Sequence, residues 1–235
     1  MTTSGTTSFN PVRDQIVNRA LRIIGAYAST DSPRPEQSRD AIETLNMMLK
    51  SWQIDGFLWL KGTYTQSLVA NQNSYSLGVG SPDGITIRPT RIFSATRKNI
   101  ASGYEIPMIQ VSREDYLRLP NKTTVGTPVQ FYYDPQLVLG VLYVWPAPLD
   151  ATDQLILNAD RTVQDMTSDQ NTYDLPQEWS DAISVNLASK LASEYGLPIG
   201  ERQLLAQEAS ALKMNVESYS RENTSTFFGV TTNGS

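Results

Sequence analysis

Apolar residues recur at helical spacing only towards the two ends of this 235-residue chain. Over residues 11–27, Ile16, Val17, Ala20, Leu21 and Ile24 fall on one stripe, which predicts a helix with one buried face. Pro11 suits its first turn with Asn10 as the cap, and Arg13, Arg19 and Arg22 keep their charges outside the stripe. The segment DSPRP at 31–35 breaks that helix. A second follows to about residue 53, with Ile42, Leu45, Leu49 and Trp52 inward and Asp40, Glu43 and Lys50 outward, and Asp55-Gly56 ends it. A third helix is predicted over residues 176–195, where Trp179, Ile183, Leu187, Leu191 and Tyr195 lie four apart before Gly196-Leu197-Pro198 stops it. The fourth covers residues 200–221, with Leu205, Ala209, Leu212, Val216 and Tyr219 in alternating steps of four and three. That is the seam of an antiparallel helical hairpin, and four such helices close a small bundle.

Between these pairs the period changes to two. Tyr64, Gln66 and Leu68 alternate with Thr63, Thr65 and Ser67, and turn residues punctuate the chain at 71–73 and 78–84. Further strands are predicted at residues 85–92, 106–111, 129–133, 137–145 and 154–159. Asp134-Pro135 reads as a hairpin turn, and residues 137–145 are apolar at nearly every position, so both faces should be covered. Ser112-Arg113-Glu114-Asp115 resembles a helix-start box and predicts a short helix at 112–119.

The predicted fold is therefore α+β, a four-helix bundle formed by the N- and C-terminal helix pairs with a large, mostly β insertion. Its parts are a flexible N-terminus at 1–9, the bundle at 10–56 plus 173–222, the insertion at 57–172 and an extended tail at 223–235. The bundle core is predicted to contain Leu21, Ile24, Leu45, Leu49, Trp52, Trp179, Ile183, Leu187, Leu212 and Val216.

Charge sharpens the picture. The net charge is −5, from 19 basic and 24 acidic residues. Residues 11–56 hold six of each sign and residues 57–172 nine basic against ten acidic, whereas residues 173–235 hold four against eight. No basic face is evident, which disfavours tight DNA binding and leaves room only for passive, non-specific contact. There is no cysteine and no histidine, so thiolate nucleophiles, disulfides, zinc–thiolate sites and the usual neutral-pH base are all missing. The opening MTTSGTTSFN does not read as a signal peptide, and no apolar run approaches the roughly 18–20 residues of a membrane span, so synthesis in a host cytoplasm and no membrane contact are expected.

Candidate chemistry is sparse. Asp160, Asp165 and Asp169 are potential calcium ligands, but they lack a regular loop spacing and read better as solvated acids. No phosphate-binding glycine motif is present, so no cofactor is expected. Of four tryptophans, Trp52 and Trp179 sit at core spacing, Trp145 ends an apolar strand, and Trp59 follows a helix stop. The tail is different. Phe227, Phe228 and Val230 are apolar residues in an otherwise polar stretch, and residues 224–232 are β-prone. They suit addition to a partner's sheet edge, or folding back on the chain's own bundle.

Several motifs then carry a resemblance. Leu45, Met48, Leu49, Trp52, Asp55 and Gly56 stand in an order similar to the second helix of head-to-tail adaptor proteins of tailed bacteriophages, after a helix that ends in an Ile-Gly step. Leu175-Pro176, Trp179, Ala182-Ile183, Asn186-Leu187-Ala188 and Glu194-Tyr195-Gly196 resemble the family's third helix. Gly126-Thr127-Pro128, Tyr132-Tyr133 and residues 142–148 (LYVWPAP) resemble a stretch of phage neck proteins, so the likeness spans most of residues 15–220.

The resemblance implies a non-enzymatic virion protein of the neck. It implies a homo-oligomeric ring of twelve copies beneath the portal, extending the DNA channel, helping to retain packaged DNA and carrying the tail or nozzle. The tail segment with Phe227, Phe228 and Val230 would dock on the portal protein, and nozzle, tube or fibre proteins would bind below. A tail-tube or nozzle component, and a carbohydrate- or receptor-binding virion module using the β insertion, stand as the alternatives.

Overall fold

The computed structural model describes residue 5 and residues 9–28, 30–55 and 60–219. The described residues hold five α-helices: α1 (Arg13–Ile23), α2 (Pro35–Trp52), α3 (Arg113–Arg118), α4 (Ser180–Leu191) and α5 (Ile199–Tyr219). Ten strands lie between α2 and α4: β1 (Lys61–Ser67), β2 (Ser74–Leu77), β3 (Arg91–Asn99), β4 (Glu105–Pro107), β5 (Ile109–Gln110), β6 (Val125–Gly126), β7 (Gln130–Asp134), β8 (Gly140–Trp145), β9 (Ala147–Pro148) and β10 (Asp153–Asp160). The chain is α+β.

α1 and α4 start later and stop sooner than their periodicity predicts, because backbone partners outside them compete for the ends. Pro11 and Asn10 do not open α1. Val12 is instead extended, bridges Thr172 and gives its N–H to the Gln15 side chain at 3.1 Å. Gly25 ends α1 in the left-handed region (φ 66), with Ala26 N–H reaching back to Leu21 at 3.0 Å. Gly196 (φ 70) repeats the device after α4, with Leu197 N–H on Ala192 at 3.1 Å. The helix predicted at 176–195 opens as a 3-10 turn at Gln177–Trp179, and only Ser180–Leu191 is α. Arg34 N–H is held by the side chain of Gln37 at 2.9 Å, in front of Pro35 at the start of α2.

Apolar residues of α1, α2, α4 and α5 share one cluster, joined by Leu60, Val163, Met166 and Tyr173 from the segments that lead into and out of the strands. α1 and α2 pack on each other and on α4, and α4 also carries α5. Within it Leu21, Leu45, Ile183 and Leu187 are fully enclosed, and Ile24, Leu49, Trp52 and Trp179 are buried. Leu212, Val216 and Ile42 pack against the cluster but are only partly covered.

The strands form two four-stranded sheets, ordered β1-β10-β3-β4 and β2-β8-β7-β5, and a small parallel pair, β6-β9. Leu155, Leu157 and Ala159 of β10 and Ile92 and Ala95 of β3 share a second apolar cluster with Tyr75, Leu77, Phe131, Tyr133, Leu142 and Val144 of the other sheet. Face-to-face packing of this kind buries alternate residues of each strand.

Three strand expectations change. Residues 85–90 form a loop, and the strand begins only at Arg91. This strand, β3, was not foreseen because the pairing with β10 skips Phe93, so its buried residues, Ile92 and Ala95, fall out of period two. The strand predicted at 106–111 is two: β4 pairs with β3, β5 runs parallel to β7, and Met108 between them turns into the sandwich core. Residues 137–139 belong to the connection from β7 rather than to a doubly covered strand, and Leu137 and Val138 are 90% and 76% exposed. β8 itself alternates, with Tyr143 on the outer face stacked against Tyr116 of α3 (4.9 Å) and Tyr132 (5.8 Å). Ser112 caps α3 by accepting from Asp115 N–H at 3.1 Å, at the predicted start box.

Candidate functional site

The chemistry-bearing residues do not converge. Asp160 is buried at the end of β10, Asp165 pairs with Lys50 at 2.8 Å, and Asp169 accepts from the Ser168 hydroxyl at 3.1 Å in a turn. Among the described residues no group of three acids could hold a metal ion. Trp52 and Trp179 meet in the helical core with their rings tilted 56° and centroids 5.8 Å apart. Trp145 gives its indole N–H to the carbonyl of Asn121 at 2.9 Å, which ties the loop after α3 to the sheet. Trp59 and the tail residues Phe227, Phe228 and Val230 lie outside the described residues.

What the helices do present is two unlike flanks. On one side, α1 and the start of α4 border an open groove of about 380 Å³. Phe9, Pro11 and Ile16 give it an apolar part, and Arg19 and Arg22 line it as well. Arg19 bridges the groove to Asp181 at 2.6 Å, between side chains more than half exposed. Arg22 gives its Nε–H to the Asn18 carbonyl at 3.3 Å and forms no ion pair among the described residues.

On the other side lies α5, 21 residues and about 31 Å long. Leu205 and Ala209 anchor it on the core, and Leu212 and Val216 extend that stripe. Lys213 fixes one edge: its ammonium meets Asp55 at 2.8 Å and Glu217 at 3.2 Å and stands 5.1 Å over the Trp52 ring. Desolvation pulls this lysine down, but the hydrogen bonds to Asp55 and Glu217 outweigh it, and it is held above its ordinary pKa. The opposite edge carries Glu201, Leu204, Glu208 and Ala211, all exposed, with Leu204 68% exposed. Met214, 64% exposed, points away from the core. The buried stripe of α5 was legible from its spacing, but its exposed edge was not, because nothing local marks which of its outer residues stand together.

The whole arrangement matches one family model, SU10 adaptor protein, over residues 13–229. The chain belongs to the SU10 adaptor family. The resemblance seen in the sequence motifs and this match agree. Membership makes the chain a phage adaptor, a structural and non-enzymatic kind of protein, and implies a place at the virion neck and binding to portal and tail proteins in general. Among the described residues no helix is long and apolar enough to cross a membrane. No curated protein matches the chain.

Proposed function

We propose that this SU10 adaptor works as a head-to-tail ring. About twelve copies bind beneath the portal, extend the DNA channel, help to hold the packaged DNA and give the tail or nozzle its platform. The family match over residues 13–229 carries this reading. In it, residues 10–56 and 173–222 act as a four-helix bundle, residues 57–172 as an inserted β domain, and residues 223–235 as the portal-docking tail through Phe227, Phe228 and Val230. The apolar cluster shared by helices from both ends of the chain supports the bundle.

Electrostatics support the channel. A wall over which DNA must slide does best with few unpaired cations, since each phosphate contact adds salt-dependent hold. With a net charge of −5 per copy, a ring repels the duplex overall and lets it pass. One tail binds weakly because ordering it costs roughly 1–2 kcal/mol per residue. Many tails on one portal bind through avidity.

The test is to mix purified portal with the full chain and with a chain ending at residue 222, and to image both by electron microscopy. A ring on the portal with the full chain, lost or weakened in the shortened one, is expected. A portal left bare by the full chain would overturn the reading.

A further inference from the structure

We propose that neighbouring copies meet through the two unlike flanks of the helical core, with the Glu201–Leu204–Glu208 edge of α5 lying in the α1–α4 groove of the next copy. This rests on the ring reading and names the contact that closes it. A ring made by rotation needs two different surfaces that fit each other, repeated head to tail. α1 and α5 both pack on α4, with little packing between themselves, so each leaves a separate flank outward. The first flank is concave and the second convex.

Charge decides the pairing. Glu201 and Glu208 form no ion pair among the described residues. Arg22, at the rim of the groove, forms none either. α1 carries Arg13, Arg19 and Arg22 against a single acid, Asp14, whereas the exposed edge of α5 carries Glu201 and Glu208 and no base. A two-fold contact between two α5 edges would gather Glu201 and Glu208 of both copies in one seam, whereas the head-to-tail contact sets them against Arg22. Leu204, between the two glutamates, then lies against the apolar lining of the groove at Pro11 and Ile16. A lone exposed leucine is ordinary. Two unpaired acids flanking it, with an unpaired arginine beside an apolar groove on the other side of the same unit, make a matched pair.

The chain has no cysteine, so engineered thiols report without background. Gln15 lines the groove and is exposed, as Leu204 is on α5. The full chain carrying both Gln15→Cys and Leu204→Cys is assembled on the portal and treated with a short bis-maleimide. A ladder of covalent multimers, ending at the ring, is expected. Each single variant should remain monomeric on a denaturing gel, because its thiols meet no thiol. Arg22→Glu should abolish the ladder in the double variant, and adding Glu208→Arg should restore it. Dimers from either single variant, or a ring visible by microscopy without a ladder, overturn this contact and leave the ring reading standing. No ring at all overturns both, and thermal melts of each variant identify one that has simply failed to fold.

Discussion

The helical core and the β sandwich treat their polar groups in opposite ways. Around the helices the groove pair is open, since Arg19–Asp181 joins side chains 57% and 54% exposed, and a pair of that kind is worth about 1 kcal/mol or less. The sandwich encloses its own. Arg97 meets Asp153 at 2.5 Å with both side chains at least four-fifths covered, and Asn99 gives a second hydrogen bond to Asp153 at 2.9 Å. Gln66, 2% exposed, donates to the Asp83 carbonyl at 2.9 Å, and the Tyr133 hydroxyl to that of Pro89 at 2.5 Å. Buried pairs of this kind are directional and cannot change partner without a large loss. The helical core depends on apolar packing, which is non-directional, and Glu201, Glu208 and Arg22 on its flanks form no ion pair among the described residues.

The largest expected effect tests the packing side of this contrast. Trp179 is 1% exposed and meets Trp52 across the joint between the two ends of the chain. Trp179→Ala should cost about 3–5 kcal/mol, read as a lower urea midpoint by circular dichroism. A midpoint unchanged within error would show that the two ends do not depend on each other for stability.

An intermediate effect tests the directional side. Gly140 in β8 faces the Tyr133 ring, and a Cβ there would lie 2.0 Å from its hydroxyl oxygen. The ring cannot retreat without giving up the bond to Pro89, and burial has already pushed this phenol up to about 12. Gly140→Ala should therefore destabilise by about 1–3 kcal/mol, the usual range for overpacking. Combining it with Tyr133→Leu should cost less than the sum of the two single changes, since the clash disappears with the ring. Strict additivity in the denaturation midpoints would mean that the strand moves instead.

The two regions also differ in how much of them could be read from residues alone. The stripes of α1, α2, α4 and α5 were legible because one helix face is buried over several turns, and the period survives small errors at the ends. The glycines that close α1 and α4 stand where the left-handed turn needs them. The strands were harder. One bulged residue, Phe93, shifts the parity of β3, and at Met108 the chain leaves one sheet for the other within a single apolar run. Neither event has a local signal, because the first is set by β10, about 65 residues away, and the second by β7, about 20 residues away. The candidate site was legible in part: the excess of acid towards the C-terminus was plain, but which glutamates stay unpaired depends on the flank to which α5 turns its edge.

The smallest effect concerns the seam where the two regions meet. Asp160 closes β10 just before the chain re-enters the helical core. It is 5% exposed, and its Oδ1 atom has no hydrogen-bond partner among the described residues. Desolvation raises its pKa, and the opposing pull of Lys61 and Arg91 is not enough to reverse that. A carboxyl whose folded pKa lies above its unfolded value binds its proton more tightly in the native state. Its contribution to stability is then greatest below the unfolded pKa and is lost as the pH rises through the folded one. Near neutral pH the ionised group works against the fold. Asp160→Asn, which stays uncharged, should raise the melting temperature slightly at pH 7, and the gain over the parent chain should shrink as the pH falls into the carboxylate range. A lower melting temperature at pH 7 would mean that attraction to Lys61 and Arg91 outweighs the cost of burial, and that the seam is held by charge as the interior of the sandwich is.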